Sequence, residues 1–163
     1  KLGAVYALSA QDIKKLGAPA EGLYCLTSYP TMLEGLNTKS NRAYRELIGV
    51  DPEGKEIGTG TRLVLAYTWA MWQAVNTLKA GIEKSGWQKK EDTPKLIKAL
   101  EGMEFKESVD FPQGDMKIRA EDHMTLAGLY VERIVNGSLK VVGKIPVADT
   151  IYPPQVDFTK EGF

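Results

Sequence analysis

The sequence predicts an α/β protein, and three stretches carry that prediction. A strand, a short helix and a second strand fit within residues 1–28, the rhythm of a parallel sheet with its crossover. A long helical pattern spans "TRLVLAYTWAMWQAVNTLKAGIEKSG". After Gly102 the pattern changes to extended segments that end in a hairpin.

Taken in order, "LGAVYAL" is a short apolar strand with β-favouring Val5 and Tyr6. Ser9 with Asp12 three residues on makes a capping-box start for "SAQDIKKLG", and Gly17 is its natural stop. "APAEG" is a turn and "LYCLTS" the second strand, which Tyr29-Pro30 interrupts because proline has no N–H for a ladder. "SNRAYRELI" predicts a helix with Ala43, Tyr44 and Leu47 on one side, and the Gly- and Pro-rich "GVDPEGKEIGTG" a loop.

In the long helix Leu63, Tyr67, Ala70, Ala74, Leu78 and Ile82 share one face at spacings of three and four. Leu65, Trp69, Trp72 and Val75 add apolar surface elsewhere, which predicts cover on more than one side. Aromatics at helical spacing read as core before they read as a ligand platform. Thr93 as N-cap and Pro94 at the first helical position open a further helix through "KLIKALEG". "EFKESVDF", "DMKIRA", "LAGLYVERIV" and "LKVVGKIPV" are extended, with "NG" as a type I′ hairpin turn. The proline-punctuated tail "DTIYPPQVDFTKEGF" reads as chain laid over a surface.

Composition narrows the function. Hydrophobic residues at 43% and charged residues at 26% suit a packed globular chain of 163 residues. Lys plus Arg and Asp plus Glu are 21 each, so no basic excess argues for nucleic acid or an anionic membrane as partner. One cysteine, Cys25, allows no internal disulfide and reads as a small buried hydrophobe. With a single histidine, His123, there is no ligand cluster for a metal, and no cofactor is expected. Asp122 and His123 are adjacent, but neighbours on an extended chain face opposite ways and make no dyad. "GTGTRL" lacks the Lys-Ser/Thr ending of a phosphate loop. The balance is towards binding and away from catalysis.

The wording of four segments resembles the type I periplasmic solute-binding proteins, in the leucine/isoleucine/valine-binding family that feeds ABC importers. "GAPAEGLYCLTSYP" is similar to the family's G-x-x-A-E-G strand, and "AYTWAMWQAVNTLKAGIEKSG" to its Y-D-A helix, with Thr68 for the usual Asp. "LIKALEGMEFKE" with "GDMKIRAEDHM", and then "LYVERIVNGSLKVV", resemble its later passages in the correct order.

The resemblance implies three-layer α/β/α lobes with parallel sheets, a ligand in the cleft between them, and three crossing strands. It implies that the chain is the C-terminal half, with residues 1–28 the end of lobe two, 29–124 a return to lobe one, and 125–163 a final lobe-two segment and tail. Some two hundred residues of such a protein would precede Lys1, and its signal peptide with them. The implied location is periplasmic. The implied partners are a small molecule, an ABC permease in the membrane, and the N-terminal half or another copy of the chain.

Hinges are then expected at Ser28, Tyr29 and Pro30 and at Asp122 and His123. The ligand-facing candidates are Val5, Tyr6, Ala7 and Leu8, at the end of a strand where open α/β sheets bind ligands. In amino-acid-binding members of the family an acid at the position of Val5 holds the ligand's ammonium group. Valine cannot. Three readings stay open: the register is off by one or two, another acid serves, or the ligand has no amino group. The third is favoured, with Tyr6 offering a ring and a hydroxyl to an aromatic carboxylate, unless Tyr6 is core. A ligand-sensing regulator domain of the same fold, a small α/β enzyme, and an interaction module docking through the aromatic helix are the alternatives.

Overall fold

A computed structural model describes residues 3–5, 9–63 and 65–160. Strand β1 (Gly3–Val5) leads into α1 (Ala10–Leu16) and β2 (Tyr24–Thr27), and β1 and β2 pair in parallel, Val5 opposite Leu26. The capping box forms as its sequence requires: Ser9 Oγ accepts from Asp12 N–H at 3.1 Å, and the Ser9 N–H donates to the Asp12 carboxylate at 2.9 Å. That carboxylate is held below its ordinary range by the Ser9 hydroxyl and N–H. The Gly17 N–H closes the helix on Ile13 O.

The last two strands, β6 (Leu129–Val135) and β7 (Ser138–Ile145), join β2 antiparallel, giving a four-stranded mixed sheet in the order β1-β2-β6-β7. Asn136 and Gly137 turn the hairpin with φ of 52° and 68°, the left-handed pair that a type I′ turn demands. A register shift at Val131/Glu132 pairs Glu132 with Val141 and Val131 with Gly143, so Val142 is an extra residue on β7. A second, three-stranded antiparallel sheet has the order β3 (Glu104–Phe105), β4 (Met116–Ile118), β5 (Thr125–Ala127).

Burial alternates cleanly on β6, with Tyr130, Glu132 and Ile134 turned inwards. Two cores meet along that strand. Ile13, Ala20, Cys25, Ile134 and Leu139 pack under α1. Tyr29, Leu36, Tyr44, Val50, Leu65, Trp69 and Tyr130 form the other, beneath α2 (Lys39–Leu47) and α3 (Leu65–Ser85). Phe105, Phe111, Met116 and Ile118 form a third on the small sheet. Cys25 is buried, as its apolar surroundings suggest.

Two helical faces differ from the expectation. On α2 Tyr44 is buried, but Ala43 and Leu47 are exposed and Asn41 and Arg45 are buried instead. They turn inwards because backbone carbonyls there need donors, a demand that apolar periodicity does not register. On α3 the buried stripe is Leu65, Ala66, Trp69, Gln73 and Gly81. Most of the expected face is outward: Tyr67 and Leu78 are 63% and 48% exposed and Ala70 and Ala74 are exposed with them, while Leu63 and Ile82 at its ends are half-buried. Met71 and Val75 add to the exposed stripe at 67% and 62%. A helix apolar on both sides offers two candidate stripes, and Trp69 decides between them by stacking on Tyr29.

Helix α4 (Thr93–Leu100) lies on α3 at Gly81, where an added Cβ would come within 2.7 Å of Leu100 Cδ2 and 2.9 Å of Leu96 Cδ1. The N-cap of α4 is Asp92, one residue before the expected Thr93, whose hydroxyl donates to Lys90 O. The tail crosses the β4–β5 turn in short 3-10 turns. Arg119 donates to Tyr152 O, and Phe158 N–H donates to Glu121 O.

The outward face of α3 has a measurable consequence. A contiguous apolar stripe of this size calls for cover, so light scattering is expected to show self-association that grows with concentration. Met71→Lys combined with Val75→Lys should abolish it. A parent chain that stays monomeric throughout would refute the expectation.

Candidate functional site

Parallel pairing places the C-terminal ends of β1 and β2 at one edge of the large sheet. At that edge β2 ends at Thr27, β6 begins at Leu129 and β7 ends at Ile145, with Thr27 opposite Tyr130 and Leu129 opposite Ile145. Three passages of chain therefore leave or enter the sheet beside Val5: Ser28–Thr31, Gly128, and Pro146 onwards. Tyr6, Ala7 and Leu8 lie outside the described residues, so of the ligand-facing candidates only Val5 is placed, closing β1.

The first passage is held by a polar network. Thr27 Oγ1 donates to Tyr29 O at 2.9 Å and accepts from Tyr29 N–H at 3.3 Å, holding a bend just after the strand. The Tyr29 ring stacks on Trp69 with centroids 6.1 Å apart and meets Tyr44 edge-on at 5.7 Å, contacts worth about 0.5–1.5 kcal/mol each beyond burial. Its hydroxyl donates to Asn41 Oδ1 at 2.5 Å, and Asn41 Nδ2 donates to Pro112 O at 2.6 Å. Burial raises the Tyr29 phenol above its ordinary pKa, with Arg45 opposing.

Arg45 holds four carbonyls of two segments. Its guanidinium donates to Pro30 O at 3.0 Å and Thr31 O at 2.9 Å in the crossing, and to Asp51 O at 3.2 Å and Pro52 O at 3.4 Å in the following loop. The planar fork of arginine suits this arrangement, for which lysine has too few donors in the wrong geometry. Behind the crossing stands Glu132 of β6, 1% exposed, which accepts from Thr31 N–H at 3.2 Å. Burial raises its carboxyl to a pKa of about 7, against the opposing pull of the Thr31 N–H and the Arg45 charge.

The second passage is at Gly128, between β5 in the small sheet and β6 in the large one. Gln113 Nε2 donates to Gly128 O at 2.5 Å, and Tyr130 OH donates to Gln113 O at 2.9 Å. Asp122 and His123 stand elsewhere, in the reversal between β4 and β5 within the small sheet. There Arg119 grips the Asp122 carboxylate, with Nε to Oδ1 at 2.7 Å and a second bond from Nη2 to Oδ2, and holds it below its ordinary range. His123 has φ 57°, approaches Glu101 Oε1 at 3.4 Å and packs on Phe158. The sheet change thus falls a few residues beyond the expected hinge. The third passage is tied to the second where Thr150 Oγ1 donates to Ala127 O at 3.2 Å.

A groove of about 410 Å³ runs along α3, lined by Trp69, Gln73, Thr77, Leu100, Met116 and Thr125 among others. Trp69 Nε1 and Gln73 Oε1 are buried without a hydrogen-bond partner among the described residues. No helix among those residues is long and apolar enough to cross a membrane.

A family model described as a periplasmic binding protein matches residues 2–138. The chain belongs to that family. Solved structures share the fold of this family member. One is an ABC-transporter solute-binding protein from Rhodopseudomonas palustris HaA2 in complex with p-hydroxybenzoic acid, with TM-score 0.61, 18% identity, and 86% of this chain and 35% of that chain covered. A second is a leucine-, isoleucine-, valine-, threonine- and alanine-binding protein from Brucella ovis in a closed conformation, with TM-score 0.61, 16% identity and coverage of 94% and 38%. A third is a leucine-binding protein from Thermotoga maritima, with TM-score 0.56, 20% identity and coverage of 86% and 35%. The chain thus spans little more than a third of each. No curated protein matches the sequence.

Sequence patterning reaches Tyr29 and Pro30 through the proline but misses Asn41, Arg45, Gln113 and Glu132. Only Glu132 carries a signal, polarity at a position that strand alternation turns inwards.

Proposed function

We propose that this chain belongs to the extracytoplasmic solute receptor of an ABC importer, and that it supplies one wall and the crossings of a cleft completed by further polypeptide. The observation that carries this reading is the convergence of three passages at the sheet edge where Val5 ends its strand. A ligand at that edge touches both sides of the crossings only when they close, and so shifts the population towards the closed form. Ser28, Tyr29 and Pro30 serve as the first hinge, with residues 1–28 in one lobe and 29–124 in the other. The sheet change at Gly128 supports placing the second hinge there, a few residues beyond Asp122 and His123. A permease that recognises the closed surface is the implied membrane partner, and the periplasm the implied location.

For the ligand we favour an aromatic or other carboxylate without an amino group, because Val5 supplies no charge for a buried ammonium. Relatives of the same fold have been solved with benzoate and with 4-hydroxybenzoate. The leucine-binding relatives favour an amino acid instead, and Val5 is the residue that separates the readings.

The test is a thermal-shift screen with benzoate, 4-hydroxybenzoate, leucine and isoleucine, on this chain and on the longer product of its gene. The aromatic acids are expected to stabilise the longer protein by about 2.7 kcal/mol at a hundredfold excess over Kd, and to stabilise the 163-residue chain much less. Stabilisation by leucine alone would reject the carboxylate reading. Equal stabilisation of both chains would reject the shared cleft.

A further inference from the structure

Glu132 is a charged residue type on an inward strand position, between Tyr130 of one core and Ile134 of another. Two features make its place unusual. The strand is irregular there, with Val142 left over on β7, and bulges commonly re-aim a side chain. The carboxylate also reaches out of its sheet to a backbone N–H of the crossing, 101 residues away in sequence. Its neighbours are few in charge. Arg45 of α2 is the cation that acts on it. Arg45 is already committed to four carbonyls and makes no ion pair with Glu132 among the described residues. Across the ladders stand Cys25 on β2 and apolar Val141 on β7. The titratable side chains around it include the Cys25 thiol, the Tyr130 phenol on the same strand face and the Tyr29 phenol under Arg45.

We propose that Glu132 is a positioning residue for the first crossing: its ionised carboxylate pins Thr31 to the sheet, and its protonated form lets Ser28–Thr31 move. A carboxylate accepting an N–H makes a charge-assisted bond, about twice as strong as the neutral one that a carboxylic acid makes. Both partners are buried or half-buried, so the difference is not screened by water. The link to ligand capture rests on the reading of Ser28–Pro30 as a hinge; the proton link itself does not. The crossing is stiffer above neutral pH and looser below it.

The experiment needs no ligand. In the wild-type chain the Glu132 carboxyl carbon and the Thr31 amide are followed by NMR between about pH 5.5 and pH 8.5. Both should titrate together near 7, the value burial gives the carboxyl. Exchange of the Thr31 amide, corrected for its intrinsic pH dependence, should be about tenfold faster in the protonated form. In Glu132→Gln the Thr31 titration should vanish while the chain remains folded. A Thr31 amide that stays still as the carboxyl titrates overturns the proposal, as does one that moves equally in Glu132→Gln. If that variant fails to fold, the wild-type comparison of carboxyl and amide decides alone. Benzoate and leucine added at fixed pH to the longer product of the gene, which completes the cleft, form a separate arm. If both leave Ser28–Thr31 unchanged while pH moves them, the solute-receptor reading fails and the latch stands.

Discussion

Glu132→Gln is expected to stabilise the chain by on the order of 3 kcal/mol at about pH 8 and to leave it nearly unchanged at about pH 5. The sign follows from burial. The carboxyl is raised from its ordinary 4.5 to about 7 in the folded state, so the folded chain binds more protons than the unfolded chain between those values. Its contribution is fully present below about 4.5 and is lost as pH rises through about 7. Glutamine keeps an acceptor for the Thr31 N–H without a charge to desolvate, and the slope disappears with it. Acids held low by hydrogen bonds and cations, among them Asp12, Asp92 and Asp122, act in the opposite sense, and their contribution is lost as pH falls below about 4. Stability should therefore peak near pH 5. Urea unfolding at four pH values checks this, and a wild-type profile flat from about pH 5 to pH 8 would count against a buried, isolated Glu132.

Arg45→Met is expected to cost about 3–5 kcal/mol, the largest loss from a single change outside the apolar core. The methionine fills much the same volume, so the cost is polar. Four carbonyls, of Pro30, Thr31, Asp51 and Pro52, lose their shared donor. Glu132 loses its nearby cation and is pushed further towards its protonated form. Arg45→Lys should recover only part of the loss, because one ammonium cannot reach four acceptors in two segments. Equilibrium denaturation measures both. A lysine variant as stable as the parent would show that charge, and not the planar fork, holds the crossing.

How much of this was legible in the residues depends on whether the cause was local. Ser9, Asp12 and Gly17 bound their helix because capping is settled within one turn. Asn136-Gly137 set the hairpin for the same reason, and the pairing of β1 with β2 followed from a helix of suitable length between two short apolar runs. The large sheet is mixed because the closing hairpin returns to β2, a long-range event foreshadowed only by the family resemblance. The inward face of α3 was not legible, since apolar residues circle it and Tyr29 decides which stripe is covered. Asn41 and Arg45 on α2 were hidden because their partners are backbone carbonyls, which every residue carries and no sequence marks. Of the candidate site, the end of β2 at Tyr29-Pro30 was visible through its proline, whereas the sheet change at Gly128 falls inside "LAGLYVERIV", which reads as one unbroken extended run.

The strand order β1-β2-β6-β7 also sets a timetable. Leu26 pairs with Val131 and Val5 with Leu26, so the middle of the sheet waits for a partner made about a hundred residues later. During synthesis at roughly 5–20 residues per second, the first two strands and their helix emerge several seconds before β6 exists. Until then β2 has an open edge, and the inward side of the first unit lacks Ile134 and Leu139. Nascent chains of this protein therefore pass through an interval in which an open strand edge and an uncovered apolar side are there for a chaperone to protect.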